Sequence, residues 1–447
     1  MKRQAELFVL ILALTAGGWA LLPGVGRAEA SRPADAVPAL FRLTPTTPAY
    51  YWHLGEIYNP ASDRYFFFYF APNGSNAVIW CRSLDGRGRP LAGFRKIVEL
   101  PDEWISQGAV TYNAQEKCMF LAWSSGSYDV VKGMPLDNYA RNMTGVARIV
   151  AIKPSQGYNT ALDLQVAWLP SVNRYAVAWT YADDRVPYNA MNGPYLTVLN
   201  RDWTVRMKAK KVYSLFQKND LHTMSVLPVG NKLLWTGRED GAGASLAPLA
   251  FFTDFQGKLL KAYGSNGVFH PAGTVQGMGK IRAAVDPNAS VILLYWPVAD
   301  AKEDEAMTWA SHGYQVMGGD GVYRGPAGTM PRRVAFQPYA AVCYNTAEGR
   351  FFWAVQEYSI FYTETPRREY YKGTLWGYYM DTDGNLVKKS GAIGVAPIAL
   401  TNTVADASVG TRLWGLVFNP YDNSYWTGYW RETIGRSIWD FWGLIYR

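Results

Sequence analysis

The scarcest reactive side chains in the 447 residues are four histidines and three cysteines, and their spacing already excludes several chemistries. No Cys-x-x-Cys-His stretch occurs, which excludes covalent haem of the usual type. No His-x-x-x-His or clustered Asp pattern supports zinc or calcium, and no Gly-x-Ser-x-Gly elbow or Cys-His motif offers a nucleophile. What remains is a dispersed polar set. His53, Gln107, Asp163, His222, Gln276, Lys280 and Arg412 each precede or begin an apolar, strand-like segment. Two-carboxylate hydrolysis would have to draw on Asp163, Asp183 and Asp184. Elimination on an acidic sugar would need a base such as His53, His222 or Tyr188 and a cation such as Arg412. No catalytic set is assigned on this basis, and no metal or cofactor is expected.

The elements that must position these residues come from an internal repeat, sought first because periods of tens of residues imply propellers or solenoids. A short apolar strand, a turn with Asn or Pro, and a stronger aromatic strand recur at 56–70, 109–123, 165–179, 224–235, 282–296, 341–355 and 415–430. Aligning the turns at Asn59, Asn113, Leu169, Leu227, Asp286, Asn345 and Asn419 gives spacings of 54, 56, 58, 59, 59 and 74 residues. A third strand, such as Ala77 to Leu84, and a polar turn follow each hairpin. Those turns are Asp85-Gly86, Ser155-Gln156-Gly157, Asn200-Arg201-Asp202, Asp254 to Gly257, Gly319-Asp320-Gly321 and Asp381 to Gly384, chemistry that tight antiparallel connections need. Six units carry four strands. The seventh stops after a third strand at Ile438 to Tyr446, and Val37 to Thr44 offers the missing fourth. Ring closure protects the terminal edges. The expected fold is all-β, a seven-bladed β-propeller with its last blade closed by an N-terminal strand. Two sandwich domains, the alternative, would show no fixed period.

Segments such as NPASDRYFFFYF and NPYDNSYWTGYW resemble the blade repeats of secreted bacterial seven-bladed β-propellers. The resemblance covers essentially the whole chain after the leader and implies architecture only, because function does not travel with a fold. Neither a recurring WD dipeptide nor the sialidase Ser-x-Asp-x-Gly-x-x-Trp box is present.

Residues 1–30 read as a signal peptide, with Lys2-Arg3, an apolar run from Leu7 to Leu22, and the small-x-small site Ala28-Glu29-Ala30. An uncleaved anchor is the alternative, although the run is shorter than the roughly 20 residues that span a bilayer. Residues 31–447 form one domain, expected to be secreted or periplasmic, with no membrane span after cleavage. The formal charge is +8, and removing three bases and two acids with the leader leaves +7. That balance favours anionic partners: acidic polysaccharide, anionic lipid surface or acidic protein. The bases are scattered except at Lys208-Ala-Lys210-Lys211 and Arg367-Arg368, and nucleic acid is not an expected partner. Cys81, Cys118 and Cys343 fall within strands and read as buried thiols, a Cys81–Cys118 bridge being the alternative.

Function is expected on one face. The connections Ser124–Gly145, Tyr181–Gly193, Pro297–His312 and Glu357–Lys372 are read as long second-to-third-strand loops on the face where the inner strands begin. Tyr128, Tyr188, Trp309, Tyr358 and Tyr362 lie in or beside them. A binding or scaffold module for a protein or glycan, anionic ones included, is the first reading. Its ligand set is His53, Gln107, Asp163, His222, Lys280, Arg412, Tyr188 and Trp309. A carbohydrate-active enzyme, a lyase for acidic polysaccharide, is the second. The unremarkable counterparts are loops that merely cover sheet edges and a water-filled channel with polar walls.

Overall fold

The computed structural model describes residues 39–45, 51–91, 93–125, 130–151, 159–183, 193–213, 222–240, 246–264, 267–271, 281–288, 290–299, 309–331, 340–364, 367–400, 411–413, 415–433 and 438–447. They form seven antiparallel sheets of four or five strands and almost no helix, a seven-bladed β-propeller. Blade one runs Trp52–Asn59, Arg64–Asn73, Asn76–Asp85 and Arg95–Leu100 from inside to outside. The inner strands of blades two to six are Ile105–Asn113, Asn159–Leu169, His222–Val229, Arg282–Val285 and Ala340–Asn345. Blade seven begins with Thr411–Leu413 and Val417–Asn419, both paired to Ser424–Thr433. Neighbouring inner strands contact one another in cyclic order, and Trp52–Asn59 meets Val417–Asn419, so the ring closes.

Closure comes from the N-terminus, as expected. Ala39–Arg42 pairs antiparallel with Ile438–Tyr446, Ala39 opposite Ile445 and Arg42 opposite Trp442. Beyond the ladder, the Leu43 amide donates to the Phe441 carbonyl at 2.7 Å, and Leu43 is fully buried.

The aromatic second strands follow from what lies on each side of a blade. Both sheet faces are covered by neighbouring blades, so a strand there can be apolar at every position rather than at alternate ones. Tyr65 to Phe70 is fully buried along its length. Phe66, Phe68 and Phe70 face blade two, whereas Tyr65, Phe67 and Tyr69 face blade seven. One hydrophobic cluster fills each of the seven seams.

The recurring Asn has two tasks. Its Oδ1 accepts backbone amides of its own turn, as at Asn113 from Gln115 and Glu116 and at Asn345 from Ala347 and Glu348. Its Nδ2 reaches the next blade: Asn113 donates to Asn173 Oδ1 and Tyr175 Oη, both at 2.9 Å, and Asn345 donates to Asn423 Oδ1 at 2.8 Å. Asn419 donates across the closing seam to the Gly86 carbonyl at 3.1 Å. These side chains are fully or almost fully buried, where a lost partner would cost about 1–3 kcal/mol.

Several expectations need correction. The blade-four turn lies two residues past Leu227, at Gly230-Asn231 between Val229 and Lys232. In blade two the third strand is Val130–Leu136 and the tight turn is Asp137 to Arg141, not Ser155-Gln156-Gly157, which lies outside the described residues. Ser124–Gly145 is therefore a strand and a turn rather than a long loop. Glu357–Lys372 is likewise no loop: Arg350–Glu364 and Arg367–Met380 pair continuously up to Glu364 opposite Arg367. The other two expected loops are shorter than read: Tyr181 pairs with Gly193, and Pro297 to Ala299 pairs with Trp309 to His312, so only 184–192 and 300–308 lie between the strands. Cys81 and Cys118 are buried free thiols, and Cys343 is a half-buried one, so no bridge joins the first two.

Candidate functional site: the axial channel

An antiparallel blade puts two kinds of end on opposite faces. Inner strands begin where second strands hand over to third; they finish at the Asn turns, beside the short third-to-fourth turns.

At the finishing end, six blades line a cavity of about 960 Å³. Its wall includes Val110, Tyr112, Trp168, Leu227, Val285 and Tyr344, with Ser171, Asn231 and Asn288 also in the lining. The wall is thus largely aliphatic and aromatic, not the polar one expected. Its ionisable groups are not free for proton transfer. Asp286 Oδ1 accepts from the Asn288 amide at 2.6 Å and Oδ2 from the Ser290 amide at 3.3 Å, which holds the carboxylate in its turn. Burial pushes the Cys343 thiol up, and burial raises Tyr112 and Tyr344, the latter also beside Asp286, so all three stay protonated. Among the described residues this surface can stack on rings, cover apolar groups and exchange hydrogen bonds, and its one carboxylate, Asp286, is engaged by its own turn. Among the described residues, no group of three His, Cys, Asp or Glu could hold a metal ion.

The other end held the expected ligand set. His53 begins deep in the seam between blades one and seven, with its ring 5.1 Å from Phe67 and 6.2 Å from Phe441. Burial lowers its pKa from 6.5 to about 3, so the imidazole is neutral. Glu56, unnoticed in the sequence, lies 3.9 Å from His53 Nε2. Burial raises the Glu56 carboxyl well above its ordinary range, a hydrogen bond from the Gly428 amide at 3.2 Å offsetting part of this. Gly415 and Gly428 admit that carboxyl; a Cβ at either would collide with it. Gln107 serves another seam, its Oε1 accepting the Leu164 amide of blade three at 3.1 Å. Asp163 has a φ of 54° inside the irregularity between Leu162 and Gln165. His53 and Gln107 therefore stand in different seams. His222, Arg412 and Trp309 lie on strands at this end, but their side chains are outside the described set. Tyr188, Lys280, Gln276 and Tyr128 lie outside the described residues altogether.

Sequence reasoning missed Tyr112, Trp168 and Tyr344 as channel wall. A signal existed: the residue before the aligned turn is aromatic in five repeats, Tyr58, Tyr112, Trp168, Tyr344 and Phe418.

Fold and channel together define a β-propeller with an axial cavity. No family model and no curated protein matches the chain. Among solved structures it is similar to the polysaccharide lyase Uly1, at 8% identity over 88% of this chain and 89% of that one, with a TM-score of 0.52. It is also similar to the Dos1 propeller, at 9% identity over 88% and 94% with a TM-score of 0.41. A third is Chaetomium thermophilum Sqt1 bound to the N-terminus of ribosomal protein L10, at 10% identity over 87% and 86% with a TM-score of 0.45. At such identities the likeness concerns the fold alone.

Proposed function

We propose that this protein is an exported binding propeller that holds a protein segment or a glycan on the ring axis without transforming it. One observation carries the reading: six inner strands converge on a cavity of about 960 Å³ whose wall is mostly rings and aliphatic surface. Concave, mostly apolar sites with a few polar groups are where ligands bind. The lyase reading needs a base open to sugar; of its candidates, His53 is enclosed by rings in a seam and held at about 3, which leaves it to His222 or Tyr188, whose side chains lie outside the described residues. Among the described residues no helix is long and apolar enough to cross a membrane.

The test is a panel of peptides and of neutral and acidic glycans, scored both for binding and for product release. For a ligand found this way, replacing Trp168 and Tyr344 by Ala should each weaken binding by about 1–3 kcal/mol if they are central to the contact. Arg412→Ala and the Tyr188→Ala/Trp309→Ala pair examine the opposite mouth in the same assay. Release of unsaturated sugar ends would overturn the non-catalytic reading. Binding indifferent to both sets of substitutions would overturn the axial one.

A further inference from the structure

The cations of this chain are not spread as evenly as its sequence suggests. Over 201–211 and 254–261 there are seven Lys or Arg against two Asp, a local excess of five beside a whole-chain charge of +8. The fold brings these stretches together, because Lys210 Nζ donates to the Gln256 carbonyl at 2.9 Å. Val205–Lys211 is the outermost strand of blade three, and all its residues but Met207 and Lys211 are exposed.

At three corresponding places in blades one and two a cation is paired where it stands. Arg89 pairs with Asp85 and Arg141 with Asp137 in the corresponding turns of blades one and two. On the outer strand of blade one, Lys96 pairs with Glu99. Blade three departs from this, with Asn200 and Thr204 where the others have Asp and Arg. Asp202 is occupied by the Thr204 amide and hydroxyl. Arg206, Lys208 and Lys210 make no ion pair with any described residue. A lysine on an edge strand guards against unwanted pairing, but one charge suffices for that, and the outer strands Val268–Phe269, Gly328–Thr329 and Leu386–Val387 carry none.

We propose that the outer edge of blade three is a docking strip for an acidic polysaccharide chain. Its shape selects the occupant. Arg206, Lys208 and Lys210 follow one another along a single exposed strand, Arg206 to Lys210 covering about 8 Å against two to three residues of Gly193–Leu199 at strand rise, and Lys210 reaches the blade-four turn that also carries exposed Lys258. A line of charges matches a linear polyanion, whereas a lipid surface calls for cations spread over a broad face. The other exposed residues of the strand are Val205 and Ala209, without the exposed aromatic anchor that a protein interface favours. Lysine ammonium groups are compact point charges without the bidentate geometry of guanidinium, which suits carboxylates on a flexible, variable polymer. Two register shifts against Gly193–Leu199, on either side of Val198 opposite Met207, break strict alternation and let Lys208, Ala209 and Lys210 all be exposed in succession. The strip is separate from the axial cavity and extends the proposed binding role to a second surface.

The experiment uses the exported chain with pectate, alginate and heparin as probes and dextran as the neutral control, followed by titration calorimetry at low and raised salt. At least one polyanion should bind, weakening as salt rises, and dextran should not bind through this edge. The variant Arg206→Gln/Lys208→Gln/Lys210→Gln should lose about 10- to 100-fold in affinity. A charge-matched control, Arg87→Gln/Lys117→Gln/Lys388→Gln, should lose less than about threefold, since those exposed cations lie away from the strip. The Trp168→Ala/Tyr344→Ala variant should keep polyanion binding, which separates failure of this proposal from failure of the axial one. Absence of binding to all three polyanions, or equal losses in the two charge variants, would overturn the strip. Capture of phosphatidylglycerol vesicles or poly-glutamate through the same residues, with the polysaccharides ignored, would overturn its assignment to a glycan.

Discussion

Removal of one methyl-rich side chain at the ring closure should be felt by the whole molecule. Leu43 follows the closing strand, is fully buried, and sits with Tyr51, Tyr69, Phe441 and Ile445 in the cluster between blades seven and one. Leu43→Ala should cost about 2–5 kcal/mol, the range for a buried Leu that leaves a partly collapsed cavity. Truncation through residue 47 removes more. It deletes the four ladder pairs of Ala39–Arg42, the Leu43 amide bond to Phe441, and the Thr44 hydroxyl that accepts the Phe441 amide at 3.3 Å. At about 1 kcal/mol net for each hydrogen bond, the ladder and these contacts together with Leu43 reach roughly 8–11 kcal/mol. That rivals the about 5–15 kcal/mol by which a domain is stable, and it leaves Ile438–Tyr446 with an open edge. Urea unfolding followed by tryptophan fluorescence, with size-exclusion chromatography for association, measures both effects. Leu43→Ala should shift the midpoint down with an unchanged slope, and the truncated chain should associate or fail to fold. A truncated protein with the parental midpoint would refute closure by this strand as a source of stability.

The buried pair at the same seam should show itself in the pH profile. Glu56 titrates above its ordinary 4.5 in the folded chain, so its favourable contribution is full below that value and is lost as pH rises towards the raised pKa. His53 is held at about 3, so its contribution is full above 6.5 and is lost as pH falls below that. Glu56→Gln should therefore gain stability relative to the parent as pH rises above 4.5, and His53→Gln as pH falls from 6.5 towards 3, in urea midpoints; parallel profiles would sink both assignments. Export should leave Ser31 as the first residue of the exported protein, since Ala28-Glu29-Ala30 is the proposed cleavage site. N-terminal sequencing that instead finds Met1 on a membrane-bound product would make the leader an anchor.

Blade number and closure could be read from the sequence because the groups that hold the ring recur at blade spacing. Asn59, Asn113, Asn345 and Asn419 each cap their own turn, and the aromatic strands are apolar without alternation because both faces are covered. Errors arose where local chemistry was ambiguous. Val130–Leu136 carries Gly133 and Pro135 and no aromatic, so it resembles loop, although all but two of its residues are buried. Glu, Thr, Pro and Arg around 364–367 signal a surface connection, yet the strands stay paired up to Glu364 opposite Arg367. Blade four turns on Gly230-Asn231, and the Asn sits inside the turn rather than ahead of it, which displaced the alignment by two.

The binding site was less legible for a reason of geometry rather than composition. Facing along a strand alternates, so one inserted residue moves every later side chain to the other face. The inner strands of blades one to four carry such shifts near their start: between His53 and Gly55, Ile105 and Gln107, Leu162 and Gln165, and Thr223 and Ser225. Bulges re-aim side chains in this way, and nothing in the residue types announces them except Gly55, whose Cβ position would crowd Val110 of the next blade. Hence His53 and Gln107, which by position ought to point towards a common mouth, serve separate seams. Beyond the shifts the inner strands run in regular register to their turns, and there the aromatic residue before the turn faces the cavity in blades two, three and six. Tyr112, Trp168 and Tyr344 can therefore line a common cavity, and substitutions at Trp168 and Tyr344 should bear on one ligand, whereas His53 and Gln107 should act on stability one seam at a time.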